Sequence, residues 1–215
     1  MNENDKSRHA FVDVAGGVAK NVFAVRQGNK VWIERKWIEQ SEMATCGEVM
    51  AIAARLKISI GLKPEEISID ASGAGKPMAD RLREMGLNCH RFTGQSKPRF
   101  DFDYHNAISE VWGAGASKIK SRDVVLPDDD DFRSQCLSRT LKRNSTGKFQ
   151  IESKDDYAGR GFPSPDEADA VLGCMMPSYS VAGESERNKP PYMSADWAFA
   201  NQRERAVPSG PGGWR

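Results

Sequence analysis

The sequence has little of what several common classes of protein require. It contains no apolar run of the roughly 20 residues that a membrane-spanning helix needs, and residues 1–9 are polar and charged, so no secretory signal is expected. Its four cysteines include no CxxC pair and its three histidines are scattered, so the ligand spacing of a structural zinc site is missing. We therefore expect reduced thiols in a cytoplasmic protein.

An excess of charge of one sign is also lacking, since the formal net charge of the 215 residues is +1. Any attraction to nucleic acid must then come from local patches. Apolar residues make up 39% of the chain, enough for one core. We expect one domain over 9–179 with a tail at 1–8. The segment 180–215 is rich in Ser, Pro, Gly and charge, which predicts a disordered tail.

Hydrophobic spacing predicts an α/β fold. Two short, mostly apolar runs and one alternating run, separated by glycine turns, indicate an antiparallel meander, followed by helices and strands in alternation. A mixed sheet with helices on both faces is therefore expected. The predicted strands are 9–14, 21–26, 30–38, 67–70, 87–92 and 149–153, and the predicted helices are 42–62, 76–85, 104–119, 128–141 and 165–176. Pro64 is expected to end the first helix.

Four aspartates lie where these elements begin or end. Asp13 ends the first strand, Asp70 ends the fourth, and Asp166 and Asp169 lie in the first turn of the last helix. If the first and fourth strands are neighbours, Asp13 and Asp70 project from one sheet edge. Such a cluster suits phosphodiester hydrolysis with two divalent ions about 4 Å apart. Aspartates also commonly end strands and start helices for purely structural reasons, so spacing alone leaves both interpretations open.

Four motifs in order resemble the nuclease domain of tailed-phage terminase large subunits, which has a ribonuclease H-like fold. The resemblance covers about residues 9–176, and its most specific part is the last motif. The motifs are Phe11–Gly17; Ile69–Gly75 with Asp80-Arg81-Leu82; Tyr104-His105-Asn106 with Glu110 and Trp112; and Glu152–Ala170.

The resemblance implies metal ligands at Asp13, Asp70 and Asp166. Asp169, one turn deeper in the helix, is either a ligand or a residue that orients the helix, and Lys154 would steady the phosphate or tune a carboxylate. Two Mg²⁺ or Mn²⁺ ions are implied, with endonucleolytic cleavage of double-stranded DNA during genome packaging. The implied partners are the terminase ATPase, the small terminase subunit and the capsid portal. The implied location is the cytoplasm of the bacterial host, and no association with a membrane is expected.

Two departures from the family pattern keep other functions open. Many relatives carry an acid shortly after the first glycine turn, where this chain has Lys20. Terminase large subunits also begin with a packaging ATPase, whereas this sequence begins where the nuclease would begin. A catalytically weak or inactive module that binds DNA or the portal is therefore an alternative. Another ribonuclease H-like nuclease, such as a resolvase, is a second one.

Other charged segments have simpler interpretations. Gly73-Ala74-Gly75-Lys76 lacks the Ser or Thr and the spacing of a phosphate-binding loop, so no nucleotide binding is expected. Its glycines would instead let backbone or phosphate approach Asp70. The acidic run 128–131 fits the start of a helix. Two basic clusters are candidate contacts for DNA phosphates. They comprise Lys118, Lys120 and Arg122, and Arg139, Lys142, Arg143 and Lys148.

Overall fold

A computed structural model describes residues 7–17, 19–73 and 75–176, and a five-stranded sheet forms its centre. The strand order is β3-β2-β1-β4-β5. The β1–β2 and β2–β3 pairs are antiparallel, whereas β1–β4 and β4–β5 are parallel. The strands are β1 (Arg8–Asp13), β2 (Asn21–Gln27), β3 (Lys30–Trp37), β4 (Ile67–Asp70) and β5 (His90–Phe92). The predicted mixed sheet is confirmed.

Helices cover both faces of the sheet, because alternate residues of β1 and β4 point to opposite sides. Val12 and Ile69 belong to the core beneath the first two helices, while Phe11 lies in the core beneath the last helix. The helices are α1 (Glu42–Ile60), α2 (Gly75–Glu84), α3 (Ala107–Lys120), α4 (Asp130–Ser138), α5 (Lys154–Gly159) and α6 (Asp166–Met175). The expected helical layers on both faces are therefore present.

Helix boundaries follow capping residues more closely than the hydrophobic pattern. Ser41 Oγ accepts a hydrogen bond from Ala44 N at the start of α1, and Gly61 ends that helix in the left-handed conformation. The prediction that Pro64 ends α1 was therefore wrong, because Gly61 already ends the helix three residues before the proline. Asp129 caps α4 through Phe132 N, which confirms the acidic run as a helix start.

The segment after α4 differs most from the prediction. Leu141 belongs to a short strand, β6 (Leu141–Arg143), rather than to a helix, and it pairs with β7 (Phe149–Ile151) in a separate two-stranded sheet. The next helix, α5, was not predicted. Ser153 Oγ accepts a hydrogen bond from Asp156 N at its start, so the capping residue was the available signal.

Some predictions on chain organisation lie outside the described residues. The strand β1 already begins at Arg8, inside the segment 1–8 expected as a tail. The expected tail at 180–215 lies wholly outside the described residues. None of the helices in the described ranges is long and apolar enough to cross a membrane. All four cysteines are free thiols.

Candidate active site

Asp13 and Asp70 end two neighbouring parallel strands. Because Val12 pairs with Ile69 in a parallel register, the next residues along the two strands are Asp13 and Asp70, at the same sheet edge. Asp13 points to the same face as Phe11, two residues earlier, and this face carries α6. Asp13 is buried and Asp70 is half-buried. The parallel pairing of β1 and β4 therefore places the two aspartates at one edge, as expected.

Helix α6 brings Asp166 and Asp169 to the same edge. It packs across the face that contains Phe11, and Gly173 permits this because an added Cβ there would collide with the Phe11 ring. Asp166 and Asp169 are both buried in the first turn of α6. Four carboxylates from three distant parts of the sequence are thereby brought together.

The side chain of Lys154, the first residue of α5, reaches into this group of carboxylates. Its Nζ lies 3.5 Å from Asp13 Oδ2, 3.7 Å from Asp166 Oδ1 and 3.2 Å from Asp169 Oδ2. Because each oxygen lies within 3.7 Å of one nitrogen, no two of them are separated by more than twice that distance. We call Asp13, Asp70, Asp166, Asp169 and Lys154 the acidic cluster.

Burial and crowding disturb the ionisation of the acidic cluster. Burial raises the pKa of Asp13 well above its ordinary value; Lys154 opposes this, whereas Asp169, Asp70 and Asp166 raise it further. Burial likewise raises the pKa of Asp70 and of Asp166. For Lys154, burial alone would lower the pKa, but the surrounding carboxylates raise it. Ionisation of Asp13, Asp70 and Asp166 is therefore disfavoured where they stand, even with Lys154 beside them.

Asp169 is held from behind by two side chains. Its Oδ1 accepts hydrogen bonds from Trp112 Nε1 at 2.7 Å and from Arg139 Nη1 at 2.8 Å. Burial alone would raise the pKa of Asp169, but Lys154, Arg139 and the indole N–H hold it below its ordinary value. Arg139 also donates to the carbonyl oxygen of Glu152, beside α5. Trp112 belongs to a motif noted in the sequence, whereas the role of Arg139 was not predicted.

Arg139 was a candidate contact for DNA phosphate, and the structure contradicts this. Its side chain is 3% exposed, because it forms a buried salt bridge with Asp169. Lys118 is also engaged, since its Nζ donates to the carbonyl oxygen of Met175 at 2.7 Å. The exposed members of the two basic clusters are Lys120, Arg122, Lys142 and Arg143, while Lys148 is half-buried.

The glycine turn after Asp70 fits the interpretation that glycine permits close approach. An added Cβ at Gly75 would collide with the carbonyl oxygen of Asp70 and press against Val14. Asp70 Oδ1 accepts a hydrogen bond from Ser72 N at 2.9 Å, which fixes the carboxylate within the turn. The approaching group at Gly75 is thus the backbone of Asp70 itself.

Lys20, the residue that departs from the family pattern, forms ion pairs with Glu167 and Asp131. Its Nζ lies 2.8 Å from Glu167 Oε1 and 2.9 Å from Asp131 Oδ2. Glu167 is fully buried beside Asp166, and no sequence signal marked it or Lys20 as partners. Lys20 therefore contributes a counter-ion for Glu167 at the position of the missing acid.

The donor atoms of the acidic cluster suit a hard cation, since they are carboxylate oxygens. Asp169 Oδ2 is buried and makes no hydrogen bond, although Lys154 Nζ is close. Across the described ranges, however, no three carboxylate, histidine or cysteine side chains are arranged so that they could hold a metal ion without moving. The ammonium of Lys154 lies among the oxygens, so a cation would have to displace it. Nearly half of the Lys154 side chain is exposed, which leaves it room to withdraw.

Solved structures of several nucleases resemble this fold. The nuclease domain of the large terminase subunit gp2 of bacterial virus Sf6 has a TM-score of 0.64 at 18% identity, covering 79% of this chain and 88% of that one. The large terminase nuclease of thermophilic phage G20c, with bound magnesium, has a TM-score of 0.59 at 13% identity, covering 80% and 82%. The domain from Thermus phage P74-26 gives 0.53 at 14%, covering 78% and 77%.

No protein-family model and no curated protein matches the sequence, so these structural similarities stand alone. They cover about four-fifths of the chain. The chain therefore has the ribonuclease H-like fold of the nuclease domains of phage terminase large subunits, as its four motifs predicted.

Proposed function

We propose that this chain is a metal-dependent endonuclease that cleaves double-stranded DNA during phage genome packaging. One observation carries the proposal: carboxylates from β1 and from α6 converge on Lys154 Nζ, at the edge where β4 places Asp70. A purely structural set of aspartates would be paired one by one. Here several buried carboxylates share one ammonium, and the pKa of Asp13 is raised by its neighbours.

The proposed metal ligands are Asp13, Asp70 and Asp166, with Asp169 as a further candidate. Asp169 has one oxygen committed to Trp112 and Arg139, and the other faces Lys154. Mg²⁺ or Mn²⁺ at this edge, when bound as a pair, would activate water and stabilise the departing 3′ oxygen. Structures of the Sf6 and G20c domains with manganese, magnesium and cobalt are consistent with such a site.

The protein side chains have separate roles in this proposal. Asp13 and Asp70 provide charge from rigid strands, whereas Asp166 and Asp169 provide it from the start of a helix. Lys154 partly neutralises the cluster while no cation is bound. Once a cation occupies the cluster, Lys154 would swing toward the phosphate, because nearly half of its side chain is exposed and its ammonium is attracted to anionic oxygen.

The similar fold also supports a proposal for the wider biological role. A nuclease of this type would work beside the packaging ATPase, the small terminase subunit and the capsid portal, in the cytoplasm of the bacterial host. Exposed Lys142 and Arg143 on the β6–β7 hairpin would contact DNA phosphates without reading the sequence. We expect weak cleavage by the isolated chain, because a DNA-holding motor raises the effective concentration of the substrate.

A module that binds DNA or the portal without cleaving it is the second candidate. Lys154 already pairs with three carboxylates, so the edge is partly neutralised without a cation. Nicking of supercoiled plasmid by the full chain in Mn²⁺ separates the two functions. A nuclease converts the plasmid to open-circular and linear forms, and a chelator stops it. Plasmid that is bound but stays supercoiled at high protein and Mn²⁺ would establish the second function instead.

A further inference from the structure

Helix α6 carries two members of the acidic cluster but lacks a cap of its own. Its N-cap residue is Pro165, which provides no side-chain hydrogen bond to the free backbone N–H groups of the first turn. The first turn is instead held by a residue of another helix. Gln135 of α4 accepts a hydrogen bond from Ala168 N at 2.8 Å, and its amide donates to Glu167 Oε2.

Glu167 connects this turn to the central sheet. Its carboxylate is fully buried, with Lys20 Nζ at 2.8 Å and Lys36 Nζ at 3.6 Å from Oε1. Both of its oxygens are therefore engaged, one by two lysines and the other by Gln135. We call Lys20, Lys36, Gln135 and Glu167 the anchor network.

The sheet end of the anchor network lies in the same row as Asp13. Val22 of β2 pairs with Asp13 on one side and with Lys36 of β3 on the other. Paired residues of neighbouring strands point to the same face, so Asp13 and Lys36 share the face on which α6 lies. A connection from Lys36 to Glu167 thus fixes the start of α6 relative to Asp13.

We propose that Glu167 is a positioning residue, which with the rest of the anchor network holds Asp166 and Asp169 in register with Asp13. The inference rests on the proposed function of the acidic cluster. Asp166 and Asp169 lie one before and two after Glu167, in one helical turn, so any tilt or fraying of that turn moves both carboxylates. Residues that orient metal ligands typically change metal affinity 10- to 100-fold when removed.

The test compares Glu167→Gln with a matched variant, Asp131→Asn, in the full chain. Both changes remove one carboxylate that pairs with Lys20 and Lys36, but Asp131 is half-exposed and belongs to α4. Mn²⁺ affinity by calorimetry should fall about tenfold or more in Glu167→Gln and stay near wild type in Asp131→Asn. Lys20→Met, at a partly exposed position, should lower it in the same direction. It serves as the second variant if Glu167→Gln does not fold.

Amide exchange across 164–172 provides a readout that does not depend on metal. In Glu167→Gln, exchange should rise at Ala168 and its neighbours while β1 to β3 remain as protected as in the wild type. Unchanged exchange in this segment, or a uniform rise throughout the chain with unaltered Mn²⁺ affinity, would overturn the positioning role. A wild-type chain that neither binds Mn²⁺ nor cuts DNA would refute the proposed function instead. The exchange result would then still show whether the anchor network holds the first turn of α6.

Discussion

The two ends of strand β1 both bury an ionisable side chain, His9 at the start and Asp13 at the end. His9 Nδ1 lies 3.2 Å from the carbonyl oxygen of Cys174, to which it donates, and Nε2 accepts from Ser68 Oγ at 2.9 Å. Burial lowers the pKa of His9 to about 4, so the ring is neutral at pH 7. Asp13 instead shares Lys154 with other carboxylates.

This contrast supports the proposal that His9 is structural and that Asp13 is functional. Each nitrogen of the neutral ring of His9 has one partner, as expected where a polar group only has to be buried. The opposite edge gathers Asp13, Asp70, Asp166 and Asp169 around Lys154, with Arg139 behind. Such an arrangement lowers stability unless something else provides positive charge. This difference supports the proposed function at the Asp13 end, and substitutions at the two ends are expected to have different effects.

The largest effect is expected at Asp70. Asp70→Asn keeps the shape of the side chain but removes the charge that would hold a dication, so plasmid cleavage in Mn²⁺ should fall more than about 100-fold. The thermal midpoint should not fall, because the raised pKa shows that the charged form is disfavoured where it is. Asp155→Asn, at an exposed aspartate of α5, is the matched control and should cut normally. Cleavage by Asp70→Asn at the wild-type rate would remove Asp70 from the mechanism.

Gly75→Ala should damage both stability and cleavage, because its Cβ would collide with the backbone of Asp70. Overpacking of this kind costs about 1–3 kcal/mol, and relief of the clash would displace Asp70. Gly47→Ala in α1 is the control, since an added Cβ there meets nothing within 4 Å and should stabilise the helix slightly. Urea unfolding and plasmid cleavage measured on both variants test this. Equal stability and equal cleavage for the two alanine variants would contradict the expected displacement of Asp70.

At the other end of β1, His9 should affect stability alone. Since the folded pKa of about 4 lies below the ordinary 6.5, the folded state binds this proton less readily than the unfolded chain. Its contribution is complete above pH 6.5 and is lost as the pH falls toward 4, by roughly 3 kcal/mol in all. His9→Ala should therefore destabilise strongly at pH 7 and less at pH 4.5, with cleavage per folded molecule unchanged. An equal loss of stability at both pH values would contradict the neutral, buried ring.

The smallest effects are expected at single surface lysines. If about four phosphates are neutralised, the log–log salt slope of DNA binding is near −3.6, roughly a 150-fold loss between 50 and 200 mM salt. Lys142→Gln, at an exposed position, should reduce that slope by about 1 for every DNA sequence. Binding that ignores salt, or that is confined to one sequence, would show that the attraction lies elsewhere.

The sequence predicted the parts of the site that depend on regular patterns. The mostly apolar run of β1 and the short buried run of β4 placed Asp13 and Asp70 at strand ends, and the parallel pairing then brought these ends together. The motif from Glu152 to Ala170 predicted that Lys154 lies close to Asp166. These features are local or follow from a resemblance that covers most of the chain.

Contacts between distant segments could not be predicted in this way. Arg139 looked like one of several surface cations, but the fold buries it against Asp169, 30 residues later. Lys20 pairs with Glu167, which lies 147 residues later, and no sequence pattern around either residue predicts the pair. The strand β6 has three residues, too few for alternation to distinguish it from the end of a helix. Hydrophobic periodicity carries no information about which distant charges the fold brings together.

Calorimetric titration of Mn²⁺ into the full chain, beside Asp70→Asn, tests most directly whether the acidic cluster holds divalent cations. Saturable binding of one or two ions to the wild type, weakened at least about tenfold in the variant, is the expected result. Wild-type protein that gives no saturable heat at millimolar Mn²⁺, or a variant that binds as tightly as the wild type, would contradict the assignment of a metal site to this edge.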